Sequence, residues 1–126
     1  MEKENDNKGE GRFLNKRQTG AFYEKQAEEF LIQKGYQILE RNYRNRNGEI
    51  DLIAKDGEYI CFTEVKYRTT SKYGNPLEAV NIRKQNQIKK VAQYYLIKHG
   101  LTEWTPCRFD VVAYEGESVT HIKNAF

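Results

Sequence analysis

One stretch constrains the fold more than any other: Gly48-Glu49-Ile50-Asp51-Leu52-Ile53-Ala54-Lys55-Asp56-Gly57-Glu58-Tyr59-Ile60-Cys61-Phe62-Thr63-Glu64-Val65-Lys66. Asp56-Gly57 joins two β-rich runs, and a two-residue Asp-Gly link is a strong signal for a type I′ hairpin. That turn sets Lys55 opposite Glu58, Ile53 opposite Ile60, Asp51 opposite Phe62 and Glu49 opposite Glu64, with Lys66 on the same face. The other face carries Ile50, Leu52, Ala54, Tyr59, Cys61, Thr63 and Val65 and reads as mostly buried. The first face is apolar near the turn and acidic at its far end.

Carboxylates opposed across a strand pair destabilise it unless something positive lies between them. Glu49 and Glu64 are expected to be so opposed. Asp51 is diagonal to Glu64, at roughly 7–8 Å between backbones, which lets two carboxylate tips converge on one cation. A hard divalent ion would relieve the repulsion. The plainer reading is a solvated hairpin end neutralised by Lys66 or water, and it is the commoner one for an acidic hairpin. It explains less here, because Asp51 and Glu64 flank a face whose other members are apolar.

A chain of 126 residues holds one domain with a single core. Its hydrophobic fraction of 38% and mean hydropathy of −0.90 indicate a soluble protein with a highly charged surface. No run approaches the roughly 18 apolar residues of a membrane span, and Met1 to Asn7 lacks the apolar core of a secretory signal. A cytoplasmic site and no membrane partner are expected. Residues 1–14 are polar and aperiodic and read as a flexible tail, leaving 15–126 as the domain. Cys61 and Cys107 fall in predicted strands as reduced thiols, with no spacing that suits a disulfide scaffold or zinc.

The net charge of +3 is mild, but its distribution is uneven. Between Lys66 and Lys90, the cations Lys66, Arg68, Lys72, Arg83, Lys84, Lys89 and Lys90 oppose Glu78 alone, a local net of +6. A basic stretch directly after an acidic cluster suits a polyanion that cations hold and a metal acts upon. A solubilising helix face is the ordinary alternative.

Helical spacing of Tyr23, Ala27, Phe30 and Leu31 predicts a helix from about Gln18 to Lys34, capped by Thr19 and stopped by Gly35. Glu24 lies at the edge of its buried face, with Glu28 and Glu29 toward solvent. Tyr36 to Tyr43 reads as a strand, and Arg44 to Gly48 as a polar turn into the hairpin. Tyr67 to Pro76 is a turn-rich loop whose hydroxyls, bases and tyrosines are groups that contact phosphates and stack on bases. Pro76 and Asn81 are start signals for one broken or two consecutive helical segments, with a buried stripe of Ile88, Val91, Ala92, Tyr95 and Leu96 ending at His99-Gly100. Lys84 and Gln85 extend that stripe toward the sheet end. Cys107 to Tyr114 and Val119 to Lys123 read as strands joined through Glu115 to Ser118. The order α-β-β-β-α-β-β, with one helix-linked crossover, gives an α/β (α+β) fold: a central mixed sheet flanked by helices.

Together these pieces supply a helix Glu, an Asp opening one strand and Glu64-Val65-Lys66 in the next. The chain resembles the PD-(D/E)xK nuclease superfamily, whose restriction-endonuclease-like core has the same α-β-β-β-α-β order. The resemblance is closest to its small bacterial YraN-like branch, related to archaeal Holliday junction resolvases. It runs from about Gly20 to Phe126 and rests on Gly20 with Glu24 and Ala27, Gly48-Glu49-Ile50-Asp51, Glu64-Val65-Lys66-Tyr67-Arg68, Lys84, Arg108-Phe109-Asp110 and Asn124-Ala125-Phe126.

The resemblance implies Asp51, Glu64 and Lys66 as catalytic residues. It implies Mg²⁺ or Mn²⁺ held by Asp51, Glu64 and the Val65 carbonyl, with Glu24 as an outer or second ligand. Carboxylates suit such hard ions, and Lys66 shares the face of Glu64 and can orient the attacking water. Arg68, Lys72, Arg83, Lys84 and Lys89 are the expected nucleic-acid contacts, with Glu49 and Asp110 supporting from outside the ligand set. The chain departs from many superfamily nucleases in lacking a Gln-x-x-x-Tyr helix motif, since Val91 lies four places after Gln87. The implied activity is divalent-metal-dependent cleavage of nucleic-acid phosphodiesters, with DNA the expected polymer and branched DNA and a homodimer in view. The alternative is a nucleic-acid or protein-binding module that keeps the fold without turnover.

Overall fold

The computed structural model describes residues 15–68 and 80–126. The tail expected at 1–14, and the loop segment and helix start expected at 69–79 with Lys72 and Pro76, lie outside the described residues.

Helix α1 (Lys16–Gln33) starts earlier than its apolar periodicity suggests. The Asn15 side chain accepts from the Gln18 amide at 2.8 Å, and the Gln18 side chain accepts from the Asn15 amide at 3.1 Å. This capping box satisfies two otherwise orphan donors at once, which is why Asn15 rather than Thr19 sets the boundary. At the other end the Gly35 amide donates to Ile32 and the Tyr36 amide donates back to Leu31, both near 3.0 Å. The resulting Schellman stop brings Leu31 and Tyr36 into one buried cluster.

Three antiparallel strands follow: β1 (Gln37–Asn45), β2 (Gly48–Asp56) and β3 (Tyr59–Arg68). Helix α2 (Ile82–Lys98) then crosses over to β4 (Cys107–Glu115), which pairs parallel to β3, and β5 (Ser118–Ile122) returns antiparallel to β4. The five strands form one mixed sheet in the order β1-β2-β3-β4-β5. Asn81 caps α2 by accepting from the Lys84 amide at 2.9 Å. Ile88, Val91 and Tyr95 of α2 pack with Ile53, Phe62 and Val111 on one face of the sheet. Ala27 and Leu31 of α1 pack with Leu52, Ala54, Cys61 and Val112 on the other. Among the described residues no helix is long and apolar enough to cross a membrane.

The hairpin differs from its expected register. Asp56 pairs with Tyr59, so Gly57 and Glu58 are the two turn residues rather than Asp56 and Gly57. Only Gly57 of that pair has positive φ, at 62°, the pattern of a type II′ rather than a type I′ turn. Every pairing moves by two residues, which preserves the faces and changes the partners: Ile53 faces Phe62 and Lys55 faces Ile60. The ladder ends at Leu52 and Thr63, so Asp51 and Glu64 come next in line, and Glu49 does not face Glu64.

Strict alternation also fails at this point. Ile50 and Ile53 share the α2 side of the core, whereas Leu52 packs on the α1 side. β2 therefore twists between Ile50 and Leu52, at Asp51. The partner strand is irregular at the same level. Asn42, whose flanking residues pair with Ile50 and Leu52, has φ 49°, an uncommon conformation for a residue with a side chain.

Asp110, fully buried, anchors the end of the chain. It accepts from Arg108, from the Asn124 amide at 2.9 Å and from His121 Nε2 at 3.1 Å. Phe126 then stacks on Phe109 at 5.4 Å between ring centroids. Burial pushes this carboxyl upward, but His121, Arg108 and the Asn124 amide together carry it below its ordinary value. Its stabilisation is therefore complete above the unfolded value and is lost as pH falls through the lower folded one. Asp110→Ala should destabilise the chain by about 3–5 kcal/mol in urea unfolding, because Arg108 keeps a half-buried charge with a partner removed. The stability gap between the wild type and Asp110→Asn should narrow as pH drops below about 4.

Candidate active site

The sheet opens where β2 and β3 part. Beyond Leu52 and Thr63 the Val65 amide has no strand partner from β2, and the Asp51 side chain takes its place, Oδ2 accepting from it at 2.8 Å. This bond holds the Asp51 carboxylate in the gap between strands, beside Glu64. Glu64 is itself buried, at 4% exposure. Lys66 Nζ lies 3.7 Å from Glu64 Oε2, and Lys84 Nζ, from the first turn of α2, lies 4.0 Å from the same atom. Both ammonium groups thus address one oxygen. The other, Oε1, is buried and has no hydrogen-bond partner among the described residues.

Burial and the facing charge make this an acid pair that resists full ionisation. Asp51 is pushed up to about 8, chiefly by desolvation and then by the Glu64 charge, while the Val65 amide pulls it back. Glu64 is raised by desolvation, against the pull of Lys84, of Lys66 and of a hydrogen bond with the Asp51 carboxyl. An orphaned buried carboxylate oxygen beside a second enclosed carboxylate is a donor set short of positive charge. Oxygen ligands of this kind fit Mg²⁺ or Mn²⁺. Glu24 stands nearby: its charge contributes to the shift of Asp51, and its Oε1 accepts from Asn42 Nδ2 at 2.9 Å. Among the described residues no three His, Cys, Asp or Glu side chains converge as a ligand group, so Asp51 and Glu64 form a pair that Glu24 borders.

The remaining expected residues divide. Arg68 pairs with Glu115 across β3 and β4. Arg83 is exposed at the start of α2. Lys89 lies over the Phe126 ring at 5.9 Å, with the C-terminal residues rather than with Glu64. Lys72 falls outside the described residues. Glu49 is drawn to Arg44 at 3.1 Å, because the two occupy opposed positions on β2 and β1. Asp110 does not support the carboxylate pair; its bonds to Arg108, His121 and Asn124 make it the clamp on the chain end.

Comparison with other proteins places this site in a family. The profile of the Uncharacterised protein family UPF0102 matches residues 23–114. The chain belongs to the UPF0102 family. A UPF0102 protein of Lachnoclostridium phytofermentans is 50% identical over 113 residues, spanning 90% of this chain and 96% of its own length. One from Clostridioides difficile is 48% identical over 115 residues, spanning 90% of this chain and 100% of its own. One from Thermodesulfovibrio yellowstonii is 48% identical over 103 residues, spanning 82% and 90%. In this UPF0102 chain the matched region contains Asp51, Glu64, Lys66 and Lys84.

Three features of the site escaped the sequence reading. Glu28 is buried and paired with Arg41 rather than turned to solvent. Its spacing of four from Glu24 and three from Leu31 was the available signal, since it lies on the same helical stripe. Gln87 packs so closely over Gly48 (φ 141°) that a Cβ there would come within 2.7 Å of it. Asn42 and its positive φ had no signal beyond the residue type.

The raised pair predicts a measurable slope. Between the ordinary Asp value of 3.8 and about 8, the folded chain holds a proton that the unfolded chain has released. Metal-free stability should therefore fall as pH rises across that window. Asp51→Asn should flatten the slope and raise stability at pH 8 by on the order of 1–2 kcal/mol, read from chemical denaturation in a chelator.

Proposed function

We propose that this UPF0102 chain is a divalent-metal-dependent endonuclease of the PD-(D/E)xK type, hydrolysing DNA phosphodiester bonds, branched DNA among them, in the cytoplasm. The single observation that carries the reading is the orphaned, buried Glu64 Oε1 beside Asp51, with Lys66 and Lys84 both turned to the opposite oxygen. Asp51 and Glu64 would hold Mg²⁺ or Mn²⁺, with the Val65 carbonyl as the further ligand. When bound, such an ion supplies charge neutralisation at a phosphate and lowers the pKa of water.

The chain's own residues do the rest. The Val65 amide fixes the Asp51 carboxylate, so the ligand geometry is set before substrate arrives. Lys66, half-buried and within 3.7 Å of Glu64, is suited to orient the attacking water and to accept or release its proton. Lys84 supplies a second fixed positive charge for a phosphate oxygen as negative charge builds in the transition state. The local net of +6 between Lys66 and Lys90 favours a polyanionic substrate.

Purified protein incubated with linear, flap and junction DNA should cleave at least one of them only when Mg²⁺ or Mn²⁺ is added. Glu64→Ala should yield no product, and Lys66→Ala should lower the rate roughly 10²–10⁴-fold. Full activity in both variants would sink the reading. The same ions should raise the melting temperature of the wild type and leave Asp51→Ala unmoved. Salt-sensitive DNA binding with no metal-dependent product would instead assign a binding module.

A further inference from the structure

A cleft of about 680 Å³ opens between the first turns of α1 and the end of β3, walled by Gly20, Tyr23, Glu24, Lys66 and Tyr67, with Lys16 at its rim. Its volume lies within the range of small-ligand sites. Three observations bear on what it could hold.

Gly20 is the first. It sits in the interior of α1, where glycine is a poor helix former. Among the described residues no heavy atom lies within 4 Å of where its Cβ would stand, apart from the neighbouring helix backbone. Packing against the described residues therefore gives no reason for its small size, and its missing side chain leaves the cleft wall open. Aromatic surface is the second. Tyr23 and Tyr67 stack at 4.1 Å between centroids and 13° between planes, and Tyr67 stays 37% exposed. The third is charge and position. Lys66 borders both this cleft and Glu64, so a group seated against the tyrosines adjoins any phosphate held at the carboxylates.

We propose that this cleft seats one unpaired nucleotide of the substrate, its base against the Tyr23–Tyr67 platform and its sugar passing along Gly20. The inference rests on the nucleic-acid reading above and narrows its substrate class. A base buried against aromatic rings is unstacked from its own helix, so the strand must be single or locally unpaired beside the scissile phosphate. A flap or a branch point presents such a nucleotide, whereas an intact duplex does so only after opening.

The test compares a labelled single-stranded oligonucleotide with a hairpin duplex by fluorescence anisotropy in chelator, and cleavage of both in Mg²⁺. The wild type should bind the single strand more tightly. Gly20→Leu fills the cleft, and Tyr67→Ala removes half of the platform. Each should weaken single-strand binding about tenfold or more, with little effect on the duplex. Gly20→Leu should melt no lower than the wild type, since it replaces a poor helix former in open space; if it melts lower, Tyr67→Ala carries the test. Metal-dependent cleavage that is indifferent to both variants, or an equal loss on single strand and duplex, overturns the cleft and leaves the nuclease reading standing. Strand-selective binding that responds to both variants without any cleavage supports the cleft and removes the nuclease reading. Binding of neither form in chelator overturns the cleft, and if no cleavage appears in Mg²⁺ either, the nuclease reading falls with it.

Discussion

The bond from the Val65 amide to Asp51 Oδ2 is the constraint on which the site depends. In an uninterrupted ladder that amide would be satisfied by backbone, and the two strands would stay closed. Here a side chain substitutes for the missing strand partner, and the sheet parts without leaving a buried donor orphaned. The gap so created is where two acidic side chains can lie side by side out of water. The twist of β2 between Ile50 and Leu52, and the positive φ of Asn42 on the neighbouring strand, accommodate the same opening.

Such a gap is a poor design for stability alone. Burial raises the proton affinity of both carboxylates, the Glu64 charge adds to the rise at Asp51, and one oxygen has no partner among the described residues. Elsewhere the chain satisfies its buried charge with care: Asp110 has three kinds of partner, and Glu28 has Arg41. The contrast between a well-compensated structural carboxylate and an under-compensated pair marks out the pair more clearly than burial does.

Much of the architecture was legible from the sequence. Hydrophobic spacing located the two helices and five strands of the described residues, and glycine marked the helix stops at Gly35 and Gly100. What periodicity could not supply was the turn register. Asp-Gly and Gly-Glu are both workable two-residue links around Gly57, and the choice between them moves every partner by two. Because that shift preserves the faces, the grouping of Asp51, Glu64 and Lys66 survived an error in their pairing. Lys84 was legible from its place on the α2 stripe. The place of Lys89 over Phe126 was not legible, because sequence proximity says nothing of where Phe126 returns. The partners of Glu49 and Asp110, Arg44 and the His121–Asn124 turn, were not legible because they are tertiary facts.

The one parallel junction in the sheet bears on how this molecule comes together. The strands β1 to β3 are contiguous hairpins, so their contacts close short loops, whereas the pairing of β3 with β4 must wait for the whole of α2 to be threaded across. Local contacts form early and distant ones late, since loop closure is entropically costly. Asp51 and Glu64 both belong to the early meander, while Lys84 arrives with the crossover. The acidic charges thus lie within one local unit and the helix-borne cation that offsets them lies outside it, so the charge balance of the site depends on the crossover being docked.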